Sequence, residues 1–242
     1  MSDIESFLEL LKRSPGRAVF NPWWQSDAEN DCGVQAPRIR RAQLRAYLVE
    51  RLAKARLILV GEALGYRGGH FTGIPMTSER ILLEGRRVFS SIAPQRTSKA
   101  KKSAGGFAEP TASMVWNTFW EFGFSNDAFV LWNAFPWHPF DMAHGLLSNR
   151  KPTVVELRHG VPILEKLLKI FRFETLVAMG VVAAAQFERI GLRAIRVRHP
   201  ANAGAALFRR QLRDALPRDL LIEAHTHETL KRAAIQSRLE GK

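Results

Sequence analysis

One cysteine, Cys32, is all the thiol in this chain of 242 residues. A single thiol cannot close an intramolecular disulfide or hold a zinc ion or iron–sulfur cluster through cysteines. Acidic residues are also short. There are 23 Asp and Glu against 36 Lys and Arg, a formal net charge of +13, with a pI near 10.7. The plain reading of a basic chain is a solvated surface. An excess this large points instead to a polyanionic partner, nucleic acid ahead of a membrane surface. Long apolar runs are missing, and none approaches the ~20 residues of a spanning helix. The opening Met1-Ser2-Asp3-Ile4-Glu5 carries no signal-peptide pattern, so a cytosolic chain is expected. There is no internal repeat. The seven histidines lack the helical spacing of metal ligands; His138 and His144 are six apart with Pro139 between them, and no metal is expected.

What is present suffices for a folded core. Hydrophobic residues are 46% of the chain, which excludes global disorder. The length fits one domain, read as residues 1–242. Its core is at about 56–215, with an N-terminal helical segment at 1–55 and a C-terminal helix at 226–242. Apolar spacing predicts helices at 3–13, 40–54, 78–84, 114–122, 154–170, 181–190 and 205–215. Short apolar runs predict strands at 56–60, 128–132, 175–179 and 194–197. Residues 95–106 are basic, small and polar. They read as a mobile loop, either uncommitted and solvated or a flexible arm for phosphates. Alternating strands and helices predict an α/β fold, a three-layer α/β/α sandwich on a four-stranded parallel sheet.

Three of the four strands run into conspicuous polar motifs. The first empties into Gly61-Glu62-Ala63-Leu64-Gly65-Tyr66-Arg67-Gly68-Gly69-His70-Phe71-Thr72-Gly73. Its glycines allow tight turns and close approach of the backbone to a ligand. The second leads to Asn133-Ala134-Phe135-Pro136, the last to Arg198-His199-Pro200-Ala201-Asn202-Ala203-Gly204. In a parallel sheet these ends share one edge, so the motifs can line one cleft. An aromatic ring (Phe71), a carboxamide (Asn133) and an imidazole (His199) together suit a flipped nucleobase. The ring stacks, the amide reads a hydrogen-bonding edge, and the histidine donates to an oxygen that gains charge as the base leaves. Each also has a plain structural explanation: core, turn cap and strand stop.

On these residues the chain resembles the uracil-DNA glycosylase superfamily. Gly61-Glu62-Ala63-Leu64-Gly65 is similar to the Gly-Glu-Ala-Pro-Gly first motif of its iron–sulfur branch. Phe71 falls at the uracil-stacking position, Asn133 at the uracil-reading asparagine, and His199-Pro200 at the His-Pro-Ser motif. The likeness covers roughly residues 56–215. There are three departures: one cysteine where the cluster needs four, so no cofactor is expected; Ala63 where the best-known branch has a water-handling aspartate; and Leu64 in place of proline. The resemblance implies a divergent, cluster-free monomeric DNA-repair hydrolase, cytoplasmic and nucleoid-associated in a bacterium. It would excise uracil from DNA and leave an abasic site.

What the resemblance implies for roles is as follows. Phe71 stacks on uracil, Asn133 reads it, and Tyr66 walls off the thymine methyl group. His199 stabilises the departing base. The backbone of Gly61, Ala63 and Gly65 shapes the loop, and Glu62, the motif's carboxylate, or backbone carbonyls guide water. Arg198, Asn202 and Arg209, with Lys99, Lys101 and Lys102, lie against DNA. Two other readings stay open. One is a protein that binds uracil or abasic DNA without turnover. The other is a hydrolase of small nucleotides, which is disfavoured because no Gly-Lys-Ser/Thr phosphate motif accompanies the glycines.

Overall fold

Apolar runs of four to seven residues, too short for buried helices and rich in β-branched residues, supply the central sheet. A computed structural model describes residues 2–84, 88–99, 105–217 and 219–221. In chain order its elements are α1 (Asp3–Leu10), β1 (Val19–Phe20), α2 (Ala36–Val49), β2 (Leu57–Ala63), α3 (Gly69–Thr72), α4 (Glu79–Leu83) and α5 (Pro110–Glu121). There follow β3 (Phe129–Phe135), β4 (His138–Pro139), α6 (Val154–Ile170), β5 (Thr175–Met179), α7 (Val181–Arg189), β6 (Ile195–Val197) and α8 (Ala205–Ala215). The expected C-terminal helix at 226–242 lies outside the described residues.

The main sheet is parallel, in the order β3-β2-β5-β6. Every residue of β3 is buried, as is the first part of β2, which is the signature of strands covered on both faces. The fold is a three-layer α/β/α sandwich. From β2 the chain steps to one side, to β3, and then crosses back to β5 on the other. Right-handed connections in opposite directions put their helices on opposite faces and leave a crevice between the ends of β2 and β5. The Gly-rich segment leaves the sheet at that crevice. On one face α6 comes so close that a Cβ at Gly160 would strike the Ala134 carbonyl.

Three expectations need correction. The strands β2 and β3 each run three residues past the predicted ends, so Gly61, Glu62, Ala63 and Asn133 sit in strands, not in loops. Pairing of Gly61 with Asn133 and of Ala63 with Phe135 carries the ladder onward. A small second sheet, β1 against β4, gave no periodic signal because each strand has two residues. Last, residues 96–99 are not a free arm. The buried carboxylate of Glu79 accepts from Thr97 N (2.9 Å), Ser98 N (2.9 Å) and the Ser98 hydroxyl. Cys32 N and Lys99 N add backbone bonds to Thr97 O and Asn30 O.

Candidate functional site

The crevice starts at Gly61. A Cβ there would lie 3.0 Å from Asn133 Nδ2, 3.2 Å from Met76 Sδ and 3.3 Å from Met179 Cε. Glycine therefore lets a carboxamide from β3, a turn residue and the end of β5 converge on one point. Met76 holds this place with φ +48°, a left-handed conformation rare outside glycine. Asn133 is 2% exposed, and its Oδ1 is buried with no hydrogen-bond partner among the described residues. An unpaired buried amide oxygen costs roughly 1–3 kcal/mol. Here it faces an edge where a ligand's N–H can reach it.

The Gly-rich segment is fastened from several sides. Thr72 Oγ1 donates to Thr77 O (2.7 Å) and accepts from Ile74 N (3.1 Å). Gln43 Nε2 donates to Thr72 O, Trp23 Nε1 to Gly73 O (both 2.9 Å), and Thr97 Oγ1 to Phe71 O (2.5 Å). Phe71 itself is fully buried in α3. Phe107 lies parallel on its ring, centroids 4.8 Å apart at 4°, in the arrangement a stacked base would take. Tyr66 meets the same Phe107 edge-on at 6.2 Å, and its backbone N–H donates to Asn149 Oδ1 (3.0 Å).

Behind Phe71 is a buried histidine pair. His138 Nε2 donates to Ser148 O (2.8 Å), so its Nδ1 accepts from His70 Nδ1 (2.9 Å). His70 Nε2 then faces Asp27 Oδ2 at 3.2 Å. Burial, with His70 alongside, pushes His138 down to about 3. His138 is a packed, neutral support of the loop and not a metal ligand.

On the last strand, His199 is half-buried. Ala201 N donates to its Nδ1 at 3.1 Å. Burial, and then the neighbouring Arg198, lower its pKa, so the ring is neutral with its proton on Nε2. A neutral donor is thus preset. The turn that follows is tight: Asn202 and Ala203 both have positive φ, and a Cβ at Gly204 would strike the His199 carbonyl. The His199 turn is two strand spacings, about 10 Å, from β2, so Gly61 and Asn133 adjoin one another while His199 approaches from across the crevice.

The carboxylates divide differently from the sequence reading. Strand alternation puts Glu62 on the opposite side of β2 from Gly61 and Asn133. It is half-exposed and makes no hydrogen bond or ion pair among the described residues. Ala63 shares the Asn133 side. A second carboxyl group, Glu109, went unremarked in the sequence. It stands at the N-cap of α5 without making a capping bond and reaches under the Gly-rich segment. Its Oε1 is 3.3 Å from where a Gly65 Cβ would be, and a Cβ at Gly68 would collide with its Oε2. That Oε2 is buried without a partner, and burial pushes the Glu109 pKa up to about 7. The available signal was Glu, a poor N-cap, just before a helix-opening proline.

The expected DNA contacts are spread around this edge. Arg198 is exposed, its N–H donating to Gln211 Oε1 (2.7 Å), and Asn202 is exposed at the turn. Arg209 forms an ion pair with Glu121 at 3.3 Å. The Lys99 ammonium is bound to the Ala28 (2.9 Å) and Glu29 (2.7 Å) carbonyls. Lys101 and Lys102 lie outside the described residues.

A family model described as the uracil DNA glycosylase superfamily matches residues 50–221. No curated protein matches the chain by sequence. Among solved structures, that of Pedobacter heparinus SMUG2 is similar over 96% of this chain and 99% of that one, with a TM-score of 0.54 and 15% identity. At that identity the likeness is one of fold.

Proposed function

This chain belongs to the uracil DNA glycosylase superfamily, and from that premise we propose that it hydrolyses the N-glycosidic bond of deoxyuridine in DNA, releasing uracil and leaving an abasic site. The observation that carries the reading is the buried, unpaired Oδ1 of Asn133 beside Gly61 at the sheet's crevice. That oxygen accepts uracil N3–H while the amide N–H₂ donates to O4. Cytosine offers the reverse pattern and is refused. Phe71 supplies the stacking surface and Tyr66 the wall against the thymine methyl group. As the bond breaks, positive character builds on the sugar and negative charge on uracil O2. The Nε2–H of neutral His199 stabilises that charge, an effect typically of ~3–4 kcal/mol for one well-placed donor. Water is assigned to Glu62, the motif's own carboxylate.

The test is incubation with uracil-containing and control oligonucleotides, then alkali. Strand scission only where uracil stood supports the reading, and none at any enzyme concentration overturns it. A second reading, a lesion binder that does not turn over, is favoured by one observation: the Asn133 side of β2 carries Ala63 and no carboxylate. Single-turnover excision with saturating protein separates the two.

A further inference from the structure

Beyond Phe107, on the side away from Phe71, is a cleft of about 480 Å³, within the range of small-ligand sites. Tyr66 and Phe107 form its aromatic wall and Arg67, Arg80, Arg96 and Lys99 its rim; none of its lining residues is acidic. The cations are held largely by neutral oxygens. Arg67 Nε donates to Tyr66 Oη (2.8 Å), Arg96 Nε to Ser98 O (3.0 Å), and Lys99 Nζ to the Ala28 and Glu29 carbonyls (2.9 and 2.7 Å). The nearby carboxylates are Glu84, 3.5 Å from Arg80 and exposed, and Glu79, 3.9 Å from Arg96 and saturated by backbone N–H groups. Their charge is less than that of the rim. The wall is also fixed: Phe107 N donates to Glu79 Oε2 (3.2 Å) and Arg80 N donates to Phe107 O (3.1 Å).

Resting on the uracil-excision reading, we propose that this cleft is a subsite for an unpaired nucleotide next to the flipped uracil. Its base lies against Tyr66 and Phe107, and its phosphate sits among Arg67, Arg80, Arg96 and Lys99. Aromatic rings beside a cationic track are how proteins hold single strands without reading sequence. A base still paired in a duplex cannot enter. The subsite therefore confers a preference for uracil in single-stranded or locally melted DNA. Phe107 serves both places, one face on Phe71 and the other side toward the cleft.

The test uses single-stranded oligonucleotides bearing a uracil nucleotide fluorinated at the sugar 2′ position, which resists cleavage. The nucleotide on one side or the other is replaced by a stable abasic spacer that keeps the phosphate. Removing the neighbouring base on one side should weaken binding about tenfold, as loss of one stacked base does. Phe107→Ala, and Phe107→Leu where the smaller residue unfolds the chain, should bind both oligonucleotides alike. Arg67→Ala with Lys99→Ala should flatten the salt dependence. Excision by the wild type of single-stranded over duplex uracil should fall toward parity in the Phe107 variants.

Equal affinity for spacer and base on both sides, with uracil still excised, overturns the subsite and leaves the excision reading standing. Absence of excision with spacer-sensitive, Phe107-dependent binding overturns the excision reading and retains a nucleotide subsite. Competition by deoxyadenosine monophosphate at the oligonucleotide's own affinity overturns the flanking-strand assignment in favour of a free nucleotide.

Discussion

At the scale of single residues, the polar groups that matter here are the ones the fold leaves unsatisfied. Asn133 illustrates the consequence. Its Oδ1 has no partner to lose, so Asn133→Ala should leave the melting temperature almost unchanged or slightly raised. The same change should slow uracil excision by about a hundredfold or more, the usual cost of deleting a preorganised polar contact in a closed site. Near-normal excision by the folded variant would remove Asn133 from the site. Glu62 is the sharper question, because alternation turns it away from Asn133. If it guides water, Glu62→Gln should cut the single-turnover rate more than tenfold with little change in DNA affinity, since only the charge is lost. A rate within about threefold of wild type, under ~1 kcal/mol of barrier, would pass the water to backbone carbonyls of the loop.

Glu109 carries a pH signature. Its pKa rises from the ordinary 4.5 to about 7 on folding, so the folded state holds this proton more tightly than the unfolded one. The stabilisation is fully present below pH 4.5 and is lost as pH rises through 7. A shift of this size corresponds to at most roughly 3 kcal/mol. Glu109→Gln, neutral at all pH values, should match the wild type near pH 4.5 and exceed it in melting temperature at pH 8. Parallel curves across that range would mean that the carboxyl group is solvated.

At the scale of elements, the sequence made the strand–helix alternation legible. Each strand is a run of apolar residues bounded by polar ones, and each helix has a clear apolar stripe. The four-residue helix at Phe71 and the two-residue strands were not legible, because neither spans one period of its own pattern. The site was legible where glycine marks a close approach, as at Gly61, and where a polar residue ends an apolar run, as at Asn133 and His199. Glu109 was not, since its contact with Gly65 and Gly68 joins positions some forty residues apart. The same non-locality hid the pinning of 96–99 by Glu79. The rigidity of the Gly-rich turn can be measured at Gly73. Its φ of +73° resembles that of Gly145 at +72°, but a Gly73 Cβ would sit 2.6 Å from Arg40 O and 2.8 Å from Arg40 Cβ, while Gly145 faces open space. Gly145→Ala should cost about 1–2 kcal/mol, the backbone penalty alone. Gly73→Ala should cost about 1–3 kcal/mol beyond that, from overpacking, read as the difference in urea midpoints at equal slope. Equal midpoints would show that the loop yields, and that the hydrogen bonds around Thr72 do not hold it.

At the scale of the whole molecule, the net charge of +13 is the property no single contact explains. Several cations are already engaged within the fold: Arg40 with Asp31, Arg150 with Glu156, Arg56 with Glu174. The excess therefore resides in the remaining Lys and Arg side chains. If these neutralise DNA phosphates, each contact releases counterions, and binding weakens linearly in the logarithm of salt concentration. With about five phosphates engaged, affinity for a duplex falls roughly 500-fold between 50 and 200 mM salt. Reversing Lys99, Lys101 and Lys102 to Glu tests whether the 95–106 segment contributes. Three lost contacts would reduce the slope by about 2.7 for duplex DNA, while the uracil-specific part of the affinity, carried by neutral groups, stays intact. Lys99→Ala alone should change the slope least, because its ammonium is bonded to the Ala28 and Glu29 carbonyls. A triple variant with an unaltered slope would assign these lysines to solvated surface and place the DNA track with Arg198 and Asn202, on the edge where the three motifs meet.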